Sequence, residues 1–248
     1  MSMYVYKDEA RTEKLLARNA QKQNKDIRFY CPNPNCDAHM YIRNIDGVSA
    51  SYFAAIPSYK HIKGCFGSSK GFNPIEYDED KFEFDDALLA LTMSSKQKTR
   101  KITPSEYGSG LSTPKPLRTI GQIYSMCKSH DCSDTYNKTT IGQMLLDSRS
   151  FYMYPKGIFG WRIIEGKCRR PNFYDAIKME ISLIISADYR EYTFILKFDD
   201  EILFKEIKNS IFPNRNHLIA VAGDWKSSGC LNVFCTSFSS KKQLAIIK

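Results

Sequence analysis

The run Ile27-Arg28-Phe29-Tyr30-Cys31-Pro32-Asn33-Pro34-Asn35-Cys36 reads as a short strand leading into two cysteines spaced Cys-x4-Cys. Pro32 and Pro34 make the spacer a tight knuckle. A tetrahedral zinc ion takes four soft or borderline ligands, usually two from each of two such turns. The second pair is His61-x3-Cys65, with Gly64 helping the backbone turn. A second strand from Met40 to Ile45, ended by the Asp46-Gly47 turn, brings the knuckles together. Cys31, Cys36, His61 and Cys65 are therefore the expected ligands of one structural Zn2+. His39 competes through Cys36-x2-His39, and His61 is preferred because it stands beside Cys65 in one compact turn. All four positions are filled and no carboxylate stands as a base beside them, which argues against a catalytic ion. So small a module draws much of its folding energy from the metal.

Outward from this module the chain changes character. Residues 1–26 are polar and basic and read as an arm, with a helix over Asp8 to Gln21 anchored only by Leu15 and Leu16. The zinc module runs over 27–93 and ends on a short helix from Phe84 to Met93. Asp85 and Asp86 suit that helix's first turn, and Leu88, Leu89 and Leu91 follow. Residues 94–116 are rich in Ser, Thr, Lys, Gly and Pro and bury too little apolar surface to offset the entropy of ordering them, so they read as a flexible linker.

The 248 residues are 42% hydrophobic and 25% charged, the proportions of a folded globular protein. No long apolar run and no secretory signal is visible, so no membrane association and a cytoplasmic location are expected. Eight cysteines spread over this length fit metal binding and buried thiols in a reducing compartment better than a disulfide scaffold. Cys168, Cys230 and Cys235 read as ordinary buried thiols. The 36 Lys and Arg against 27 Asp and Glu give a formal charge of +9, which concentrates polyanions near the surface.

Phe29-Tyr-Cys31-Pro, Cys36, Ser51-Tyr52-Phe53-Ala54 and His61-x3-Cys65 resemble the N-terminal zinc-ribbon-like module of competence CoiA-like proteins. That family has histidines where Ser51 or Tyr52 and Ala55 stand here, and its nuclease region does not follow. The resemblance covers about 40 residues and implies a DNA-processing role.

A helical segment over 117–149 carries apolar residues at Ile120, Ile123, Tyr124 and Cys127, then a second helix from Thr140 to Ser148. Cys127, His130 and Cys132 read as a helix end and polar loop. Residues 150–248 give strands at Ile158–Gly166, Ile177–Ile185 and Tyr192–Phe198, a helix capped by Asp199 or Asp200 and stopped by Pro213, and strands at Leu218–Gly223 and Leu231–Phe238. A short tail strand follows at Leu244–Ile247. Three strands, a helix and two strands resemble an OB-fold of the single-stranded-binding type. The whole is expected to be α+β: a zinc-ribbon-like module, a flexible linker, a short helical segment and a C-terminal OB-like β-barrel.

Single strands are held by aromatic planes and phosphate-neutralising cations. Tyr152, Tyr154, Lys156, Trp161, Arg162, Lys167, Arg169, Arg170, Trp225 and Lys226 are the candidate contacts, and the exposed aromatic is expected to be Tyr152, Tyr154 or Trp225. The expected function is non-catalytic binding of single-stranded DNA or RNA. Two alternatives come from other classes. One is an adaptor that binds a protein partner. The other is a metal-dependent nuclease using Glu165-x-Lys167, with Asp147 upstream.

Overall fold

The computed structural model describes residues 2–47, 50–63, 65–68, 72–93, 114–187 and 190–247. Its first part is an antiparallel sheet of β1 (Tyr4–Tyr6), β2 (Lys14–Leu16), β3 (Phe29–Tyr30), β4 (His39–Arg43) and β5 (Tyr52–Ala55), in the order β2-β1-β3-β4-β5. Alternation puts Val5, Leu15, Phe29, Met40, Ile42 and Phe53 on one buried face. No α-helix forms over Asp8–Gln21, where the one helical piece is a 3-10 turn at Ala17–Asn19. The Asp8 carboxylate accepts from the backbone N–H groups of Thr12 and Glu13, and Arg11 takes a φ of 56°. This local side-chain turn competes with helix and closes the β1–β2 hairpin, so residues assigned to a polar arm are sheet.

Helix α1 (Phe84–Thr92) forms where its acidic first turn and leucines place it, and α2 (Ile120–Ser129) begins at a capping box made by Thr119 and Gln122. Of the linker assigned to 94–116, residues 94–113 lie outside the described residues. Its end is pinned, since Lys115 O accepts from Asp78 N at 3.1 Å. After a small hairpin of β6 (Thr135–Tyr136) and β7 (Thr139–Thr140), α3 spans only Ile141–Met144. The longer helix expected to reach Ser148 gives way to β8 (Leu145–Leu146), which pairs in parallel with the following strand.

The C-terminal region is α+β, with a closed barrel of five strands. β9 (Gly160–Cys168), β11 (Glu180–Ala187), β12 (Arg190–Lys197), β13 (Leu218–Ser227) and β14 (Val233–Ser237) close in the ring β9-β11-β12-β14-β13-β9. Within this ring only β12 and β14 run parallel; a short β10 (Tyr174–Asp175) edges β11, and β15 (Leu244–Ile247) pairs with β13. Alternate residues fill the barrel, among them Ile164, Leu183, Phe194, Val221, Trp225 and Phe234. Helix α4 (Glu201–Ile211), capped by Asp200, closes one end where Phe204 packs on Phe198. Phe151 against Tyr192 closes the other. Ile163, Ala220 and Ala222 face outward from β9 and β13 and lie under α1, α2 and α3; the two alanines let helices approach the sheet closely. No described helix is long and apolar enough to cross a membrane.

Candidate metal centre and barrel groove

The two knuckles converge. One ligand atom from each of Cys31, Cys36, His61 and Cys65 lies within 4.8 Å of all the others, and these four residues can hold a metal ion. Cys31 Sγ is 3.4 Å from His61 Nδ1 and 3.5 Å from Cys65 Sγ, and Cys36 Sγ is 3.6 Å from His61 Nδ1. A tetrahedral ion with thiolate and imidazole bonds of about 2.0–2.3 Å has edges of roughly 3.5–3.8 Å, so the donor set fits. The three sulfurs are buried, and the four donors together would fill a tetrahedron. His39 stands apart, its ring edge-on to Tyr30 and Tyr59.

The surroundings of the centre orient its ligands. Asn33 donates its backbone N–H to Cys31 Sγ and its side-chain amide to Cys65 Sγ, both at 3.4 Å. Arg11, from the β1–β2 turn, donates to the carbonyls of Cys31, Asn33 and Cys36 at 3.0, 3.3 and 3.1 Å. Gly67 passes so close that a Cβ there would sit 2.8 Å from Cys31 Sγ. Hydrogen bonding from Cys31, assisted by His61 and Asn33, holds the Cys65 thiol well below its ordinary range, and the same bond together with burial pushes Cys31 up.

Phe66 follows the last ligand, and its ring lies 5.0 Å from the Arg149 guanidinium and 5.8 Å from Lys128 Nζ. Those cations belong to a buried ionic cluster. Lys128 bonds Asp147 at 2.8 Å and Glu165 at 2.9 Å, Arg149 bonds Asp147 at 2.8 Å, and the Tyr124 hydroxyl donates to Glu165. Arg149 also caps α2 by donating to the carbonyls of Cys127 and His130. Burial alone would raise the Asp147 carboxyl; Arg149 and Lys128 hold it below the ordinary carboxylate range. Glu165 and Lys167 share a side of β9, yet Glu165 is covered by α2 whereas Lys167 is exposed. The Lys128 ammonium sits between Asp147 and Glu165, where a nuclease would need a divalent ion.

The candidate nucleic-acid contacts separate. Lys167, Arg169 and Arg170 line one depression of about 540 Å³ on the outside of the barrel, together with Arg215 and Asn216. Trp161 and Lys226 line a second, of about 320 Å³, with Asp224. Tyr152 is 64% exposed and Lys156 is exposed, but Tyr154 is half-buried and its hydroxyl donates to Gly142 O. Arg162 is half-buried beside the acidic first turn of α1. Trp225 is fully buried in the barrel and donates to Arg162 O, which corrects its expected exposure: its place on β13 is an inward one. The expected burial of Cys230 and Cys235 is also corrected. Cys230 is exposed in the β13–β14 turn and Cys235 faces outward from β14.

Arg215, Arg11 and Lys128 were not singled out from the sequence. Arg215 and Arg11 carry no local pattern, whereas Lys128, four residues after Tyr124 on one helix face, is a signal that could have been read. Comparison with family models, with curated proteins and with solved structures returned no match.

Proposed function

We propose that this protein binds nucleic acid without catalysis, preferring single strands, through a barrel of the OB-fold type. The strand ring, with its parallel pair and its helix between the third and fourth barrel strands, supports that fold assignment. The observation that carries the function is the depression over β9 and β11 in which Lys167, Arg169, Arg170 and Arg215 gather around a single acidic residue, Glu191. Such a groove attracts phosphate and releases counterions when a strand binds. The metal is zinc in this reading, because three thiolates and an imidazole with no open position are the ligands of a structural zinc site. It would fix the knuckles and add no chemistry. The likeness of this module to that of competence CoiA-like proteins is in keeping with a DNA ligand.

The test is fluorescence anisotropy with labelled single-stranded DNA, single-stranded RNA and duplex across a salt series. Single strands should bind most tightly, with affinity falling steeply as salt rises. Reversing charge at Lys167 and Arg215 (K167E with R215E) should weaken binding at least about tenfold and flatten the salt slope. Absence of binding at low salt, or indifference to both changes, would overturn the proposal.

A further inference from the structure

Trp161 and Asp224 are cross-strand partners at the start of β9 and in β13. Both line the second depression, with Lys197, Lys226, Ser237 and Ser239 around them. Its volume of about 320 Å³ lies within the roughly 300–1,000 Å³ of small-ligand sites. Trp161 is half-buried, packing on the core beneath the helices while part of it lines the depression. Lys226 Nζ is 3.3 Å from the Asp224 carboxylate, so a cation and an acceptor stand side by side in the depression that Trp161 also lines. This is the set that holds one base of a single strand: a plane to stack on, a cation for the adjoining phosphate and a polar group for the base edge.

The strand register connects this pocket to the basic groove. Arg169 N donates to Ser182 O, Ser182 pairs with Ile195, Ile195 with Cys235, and Cys235 with Lys226. Ser182, Ile195 and Cys235 are half-buried outward positions, alternating with buried Leu183, Phe194 and Phe234. Four inter-strand steps of about 4.8 Å make a path of roughly 19 Å, long enough for a few nucleotides lying across the strands. Resting on the single-strand reading above, we propose that the Trp161–Asp224–Lys226 pocket takes one unpaired base of a strand whose phosphates lie in the Lys167–Arg215 groove. Trp161 provides the stacking plane, and the Asp224 carboxylate accepts from N–H groups of the base.

The chain has two tryptophans, and Trp225 is fully buried, so quenching by a bound base or by acrylamide reports Trp161. The full-length protein is titrated at low salt with a labelled twelve-nucleotide single strand, and anisotropy and tryptophan emission are recorded together. Emission should fall along the anisotropy isotherm, and bound strand should protect the acrylamide-accessible tryptophan. Trp161→Ala should bind about tenfold more weakly and lose the emission change. If the strand binds by anisotropy while emission and acrylamide access stay unchanged, the base pocket is wrong and the groove reading survives. If anisotropy itself does not change, both fail. The acrylamide measurement on the unaltered protein decides the question even if Trp161→Ala does not fold.

Discussion

The N-terminal sheet and the C-terminal barrel solve the same problem with different means. The sheet is closed only by a single bridge, Ser2 to Phe53 on its outer strand β5, and its one buried face has few large members: Phe29, Phe53, Met40 and Ile42 with Val5 and Leu15. Its knuckles contribute only Cys31, Cys36, Ala38 and Cys65 to a separate small cluster. The barrel's five strands leave no edge in their ring, and Trp225, Tyr192 and Phe194 fill its interior. The first region gathers four residues that can hold a metal ion between its loops, while the second is held by hydrocarbon. The two meet at Phe66, where the residue after the last metal ligand covers the cations of a buried ionic cluster.

The sharpest way to break this comparison is to remove the metal. Structural zinc sites contribute about 10–16 kcal/mol at neutral pH, more than the sheet's small core can replace. A strong chelator, or Cys36→Ser, should abolish hydrogen-exchange protection of amides in β3, β4 and β5 and leave β12 and β13 protected. Elemental analysis before chelation should find one zinc per chain. Protection that persists in β4 without metal would show that the sheet stands on its own packing.

A smaller effect is expected at the junction of the two regions. Asp147→Asn leaves Lys128 and Arg149 buried with less than their full countercharge, a change that costs about 3–5 kcal/mol when one partner of a buried pair is lost. Denaturant unfolding at pH 7 should show this loss. The pH dependence has a definite sign. Because the folded pKa of Asp147 is lowered by its two cations, its contribution is complete above the unfolded value of about 4 and is lost as pH falls through the folded one. The difference between wild type and Asp147→Asn should therefore shrink below about pH 4. A constant difference down to pH 2 would place the Asp147 effect elsewhere than in its charge.

The sequence was legible where chemistry is local. Cys-x4-Cys and His-x3-Cys each sit in one turn, and each turn could be read by itself. The barrel's helix was equally plain, since Asp200 caps it and Leu203, Ile207 and Ile211 repeat along one face. Residues 1–26 were misread because Leu15 and Leu16 satisfy a helix as well as a strand, and only their pairing with Val5 and Tyr4 of β1 decides between them. Trp225 was misread for a related reason: alternation along β13 divides its residues into two faces but does not tell which one points into the barrel. The ionic cluster joins positions 124, 128, 147, 149 and 165 through the fold alone. No spacing in the chain announces it.

Within the metal region, the fit between loop and ion can be probed by filling the space beside a ligand. A methyl group at Gly67 would lie 2.8 Å from Cys31 Sγ, and the sulfur cannot retreat without spoiling the tetrahedron. Gly67→Ala should cost about 1–3 kcal/mol, the usual range for overpacking, and appear as faster transfer of metal to a chromogenic chelator. The barrel should be untouched, with the unfolding transition of its amides unchanged. Unaltered transfer would mean that the 66–68 turn yields freely and is not part of the metal cage.

The smallest expected effect lies one layer out. Arg11 crosses from the β1–β2 turn to bond three carbonyls of the first knuckle, two of them belonging to ligands. A planar guanidinium reaches all three at once, whereas an ammonium on a shorter reach satisfies one or two. Arg11→Lys keeps the charge and removes the fork, so the loss should be about 1 kcal/mol, the net worth of roughly one hydrogen bond. Metal affinity should fall a fewfold and exchange at the amides of Cys31 and Cys36 should quicken, while amides of β4 and β5 hold their rates. That pattern would place Arg11 as a brace on the knuckle. A uniform quickening over the whole sheet would make it instead a support of the hairpin, and the ion would then depend on the sheet as much as the sheet on the ion.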